Sequence, residues 1–90
     1  MSIEELKRKY NNLLTREVKA EEVLNRDYWI NKNDLAIPYR SLEEEEKHKK
    51  RYYEEFFKII RELSALIKEY EKIVGKEMKE NEKINGFIID

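Results

Sequence analysis

No cysteine occurs among the 90 residues, so disulfides, thiolate catalysis and cysteine-ligated zinc are excluded, and nothing points to an oxidising compartment. Glycine appears twice and proline once, while 43% of the residues are charged. That balance disfavours sheets and turn-rich folds and suits long helices. With a single histidine and no cysteine, few pairings of nucleophile and base exist. No Ser/His/Asp set, glycine-rich phosphate loop or pair of working carboxylates can be assembled, so the chain is expected not to be an enzyme and to need no cofactor. Nineteen basic residues face twenty acidic ones, leaving a formal charge of −1. No global field draws such a chain to duplex nucleic acid or to an anionic membrane. The opening MSIEELKRKY is a charged helical start and not a signal peptide, and no run reaches transmembrane length. The expected location is the cytosol.

What is present is helical pattern. Ser2 with Glu5 forms a capping box, and Ile3, Leu6, Tyr10, Leu13, Ala20 and Leu24 recur at spacings of three and four, with Glu17 interrupting the row. A first helix is expected over 3–25. Residues 26–41 form a connection rich in turn chemistry, yet it carries Tyr28, Trp29, Ile30, Leu35, Ile37 and Tyr39. A second capping box, Ser41 with Glu44, opens a long helix expected over 42–80, followed by a short tail, 81–90. Its polar start offers Glu43–Lys47, Glu45–Lys49 and Glu46–Lys50 as acid-before-base pairs four apart.

From Tyr52 two apolar rows run side by side. One holds Tyr52, Phe56, Ile59, Leu63, Leu66, Tyr70 and Ile73; the other holds Tyr53, Phe57, Ile60, Ile67, Val74 and Met78. Two rows imply two neighbours, whereas a hairpin supplies one. The expected architecture is therefore one all-α domain over 1–90, a helical hairpin with a long second helix, assembling as a homo-oligomeric bundle, most simply a dimer. Gly75 either ends the long helix as a left-handed cap or sits inside it.

Two surfaces are candidate sites. In HKKRYYEEFF, Lys47, Lys50, Arg51, Tyr52 and Tyr53 offer cations for a phosphate and rings for a base, which suits a nucleotide pocket at a subunit interface; the same rings also read as the start of a bundle core. Arg26, Tyr28, Trp29, Tyr39 and Arg40 combine the residue types that dominate protein-binding hot spots, and equally suit a plug at the bundle's end. Glu45 and His48 stand at the Glu-x-x-His spacing of di-iron bundles, but the lysines around them repel a cation, so no metal is expected and His48 reads as a surface residue.

The layout ELKRKYNNLLTREVKAEEVL, then YYEEFFKIIRELSALIKEYEKI, then NEKINGFIID resembles small uncharacterised helical proteins of phages and prophages of low-GC Gram-positive bacteria. That resemblance implies a protein that works by binding: sequestering a nucleotide signal as a counter-defence sponge, inhibiting a host defence protein, or serving as an accessory partner in the host cytoplasm. A purely structural coiled coil remains the third reading.

Overall fold

The structure, a computed structural model, describes residues 1–89. Two helices, α1 (Ile3–Leu24) and α2 (Leu42–Val74), form an antiparallel hairpin. Both start as their caps dictate: the Ser2 hydroxyl accepts from the Glu5 backbone N–H and the Ser41 hydroxyl from that of Glu44, each at 3.2 Å.

The link between the helices corrects the all-helical expectation. It is a small antiparallel ribbon, β1 (Tyr28–Ile30) and β2 (Ala36–Pro38), with Trp29 opposite Ile37. The side-chain oxygen of Asn31 accepts from the backbone N–H groups of Asn33 and Leu35, and Asp34 takes a left-handed conformation, φ 59°. An Asx turn thus closes the loop between two short runs rich in aromatic and branched residues.

α2 also stops earlier than expected. Gly75 is left-handed, φ 75°, and its N–H donates to the Glu71 carbonyl, ending the helix at Val74. Met78 therefore leaves the second apolar row; its backbone N–H donates to the Glu71 carboxylate at 2.9 Å and its side chain turns into the core. A third helix, α3 (Glu80–Asn85), brings the chain back across α1 and seats Phe87 between Tyr10 and Tyr70. The tail beginning at residue 81 thus contains most of α3 and docks.

The core holds Leu6, Tyr10 and Leu13 of α1, Ile59, Leu63 and Leu66 of α2, and Met78 and Phe87. The first apolar row of α2 supplies its centre, but its ends, Tyr52 and Ile73, remain exposed. The second row is largely left without an intramolecular partner: Tyr53, Phe57, Ile60 and Val74 are exposed. At 33 residues α2 reaches about 50 Å and outruns α1, so the upper half of α2 carries the ribbon.

Candidate functional site

One residue ties the end of α1 and the approach to the ribbon to α2. Lys49 is 3% exposed and donates to the carbonyls of Leu24 at 2.7 Å and Arg26 at 2.6 Å and to the Glu45 carboxylate at 2.6 Å. Leu24 ends α1, a helix with no base in its own last turn, so an ammonium from α2 satisfies its unpaired carbonyls and offsets the negative end of its dipole. The Glu45–Lys49 pair read from spacing is real, but its Lys49 end is buried while Glu45 stays half-buried at the edge. Glu43–Lys47 and Glu46–Lys50 do not close among the described residues.

With α1's end and the approach to the ribbon both tied to Lys49, the ribbon's inner face lies against α2. Trp29 stacks on His48, ring centroids 4.8 Å apart and planes 19° from parallel, and Tyr39 meets the same imidazole at 5.7 Å. His48 is exposed, as expected, and also serves as an aromatic platform for the ribbon. Lys49 lies 5.4 Å from the Tyr39 ring centre and Arg26 lies 5.6 Å from that of Tyr28. Burial raises the Tyr39 phenol above its ordinary range, an effect that Lys49 opposes.

Between these groups lies a cleft of about 160 Å³ walled by Val23, Arg26, Tyr28, Trp29, Tyr39, His48, Tyr52 and Ile30. Four of the five residues expected for partner binding, Arg26, Tyr28, Trp29 and Tyr39, meet here; Arg40 is exposed and lies outside the lining. His48 and Ile30 complete the wall, and Tyr52 joins it from the other candidate set. Spacing alone points to His48 and Tyr52, four apart on one helix face, once the ribbon is known to cover that face. One polar atom stands out. The indole Nε1 of Trp29 is buried and has no hydrogen-bond acceptor among the described residues.

The five residues read as a nucleotide pocket do not converge within the chain. Lys47, Lys50 and Tyr53 share a shallow strip of α2 with Glu43, Glu46, Glu54 and Phe57, where three carboxylates outnumber two ammonium groups. Arg51 lies beside Tyr52 and Glu55 on another side of α2, and Tyr52 belongs to the Trp29 cleft. Successive helical residues step by about 100°, so positions 50 to 53 cannot all face one ligand.

Glu45, committed to Lys49, is not available as a metal ligand beside His48, and no cluster of three or more metal-binding side chains exists among the described residues. Likewise, no helix among them is long and apolar enough to cross a membrane. Comparison with protein-family models, curated proteins and solved structures finds no match.

Proposed function

We propose that this chain is a non-enzymatic binding protein that engages a protein partner through the Trp29 cleft, acting as an inhibitor or adaptor. The observation that carries this reading is the Trp29 indole N–H, buried without an acceptor in an aromatic wall that is otherwise fully built. A buried unsatisfied donor costs about 1–3 kcal/mol, which is recovered when docking opens the wall enough to bring a partner's carbonyl or carboxylate oxygen to the indole.

At the Trp29 cleft, size favours a protein partner over a nucleotide. Pockets that engulf small ligands measure roughly 300–1,000 Å³. The cleft's volume, about 160 Å³, suits one inserted side chain and not a nucleotide. Tryptophan, tyrosine and arginine grouped around such a slot are the composition of an interface hot spot, and Arg26 beside it favours an acidic neighbour on the partner. The resemblance to small phage and prophage proteins fits inhibition of a host protein.

The test is affinity capture from cells that carry the gene, comparing the native chain with Trp29→Ala and Tyr52→Ala, followed by titration of the purified partner against the fluorescence of Trp29, the chain's one tryptophan. The reading expects both variants to lose the partner, and the emission of Trp29 to shift on binding. A partner retained by Trp29→Ala overturns it. Native mass spectrometry that finds a nucleotide released on denaturation would return the function to sequestration.

A further inference from the structure

A second surface lies on the opposite flank of the hairpin, away from Trp29. There α1, α2 and α3 frame a groove of about 440 Å³ lined by Leu14 and Val18 of α1, Ile60 and Ile67 of α2, and Ile84 of α3. Val18 is 53% exposed and Ile84 70%, and Tyr53 and Phe57 continue the apolar surface along α2. We propose that this face is where a second copy of the chain docks, about a two-fold axis that passes between Leu14 and Val18.

Charge argues for a second copy. Glu21 lies at one end of the groove and Lys83, whose backbone carbonyl accepts from the Tyr10 hydroxyl, lies at the other, with Glu17 between them beside Val18. Eleven residues separate Tyr10 from Glu21, roughly 16 Å along α1. A two-fold axis lying in the interface and perpendicular to α1 exchanges the ends of the face, so Glu21 of each copy meets Lys83 of the other. The same rotation about a point between Leu14 and Val18 sets Leu14 against Val18 of the second copy and turns α1 antiparallel to its mate. An isologous interface requires this self-complementarity, opposite charge at opposite ends with apolar residues straddling the axis. Lys83 is held only loosely at home, 3.6 Å from an exposed Glu80 carboxylate.

Area argues the same way. A 22-residue helix beside another offers a face about 33 Å long and 20 Å wide, comparable with the roughly 800 Å² that each partner buries in a standard interface. Pairing two hairpins on it makes a four-helix bundle and covers the apolar row that α1 leaves bare.

Sedimentation equilibrium of the full chain at about 50 µM tests this. The native chain is expected as a dimer. Val18→Asp and Ile84→Asp change exposed positions, so helicity by circular dichroism is expected to stay while the dissociation constant rises at least about 100-fold, each change acting twice in a symmetric interface. Glu21→Lys and Lys83→Glu should each weaken the dimer about tenfold, and the double variant should restore it to within about threefold. A native chain that is monomeric, a dimer indifferent to Val18→Asp and Ile84→Asp, or a charge swap without rescue overturns the proposal. Trp29→Ala is expected to leave the dimer unchanged.

Discussion

The two ends of the hairpin are built from the same materials, aromatic rings and buried polar atoms, and are finished differently. At the end near Phe87 the polar groups around the rings are paired. The Tyr10 hydroxyl donates to the Lys83 carbonyl at 2.8 Å, and the Asn11 amide donates to the Phe87 carbonyl at 2.9 Å and accepts from its N–H at 2.7 Å. Gly86 fits this closure because a β-carbon there would lie 2.5 Å from the Asn11 side-chain oxygen. At the Trp29 end, Lys49 is saturated, but the indole N–H is not, and a cleft is left beside it. The first end has its polar groups paired by folding, and the second keeps a buried donor that folding leaves unpaired.

Phe87→Ala is the most severe way to probe the closed end. It empties a core position against Tyr10 and Tyr70, and a loss of about 3–5 kcal/mol is expected, read as a lowered urea midpoint. Of a domain's total of roughly 5–15 kcal/mol this is a large share. Lys49→Met probes the open end. It keeps much of the side-chain length but strips two carbonyls of their donor and leaves Glu45 unpaired, so about 2 kcal/mol is expected. Hydrogen exchange should then show ribbon amides opening while the α1–α2 core stays protected. Uniform loss of protection across the chain would mean that the open end is part of the core after all.

A finer contrast removes one polar atom at each end. Tyr10→Phe orphans the Lys83 carbonyl and is expected to cost about 1–1.5 kcal/mol. Trp29→Phe deletes a donor that has no acceptor, and what it loses in packing it regains in desolvation, so the net change should fall within about 1 kcal/mol. Equal costs at the two ends would erase the distinction between them.

Helix starts, the hairpin order and the central apolar row were legible in the sequence because each rests on local signals: a cap with its amide three residues on, or a period near 3.6. The ribbon was not, because three-residue strands are too short to show a period, although YWI and AIP on either side of an asparagine-led turn were the available sign. Lys49 was misread for a different reason. Its spacing from Glu45 is identical whether the pair is wet or buried, and only the arrival of α1's last carbonyls, from 25 residues away in the chain, decides between them. The same long-range placement puts Tyr52 in the wall of the Trp29 cleft as well as beside Arg51.

Glu17, the residue that interrupts the apolar row of α1, carries the smallest expected effect and links the middle of the hairpin to this contrast. It lines the groove proposed for the second copy, where burial first and Glu21 second raise its carboxyl above the ordinary range. A carboxyl raised in the folded state favours folding while protonated, below its unfolded value near 4.3, and that contribution disappears as pH climbs through the folded value. At neutral pH its ionised form is therefore a liability to the lone chain. Glu17→Gln, measured as monomer in dilute solution, is expected to raise Tm by about 1–3 °C at pH 7. The gain should shrink as pH falls below the carboxylate range, because the native residue is then neutral too. In the proposed dimer Glu17 lies beside the two-fold axis and faces the carboxylate of its mate, so the same substitution is expected to strengthen association at pH 7 as well as the monomer. A variant that gains equally at every pH would show instead that Glu17 interrupts the apolar row through its shape and not its charge.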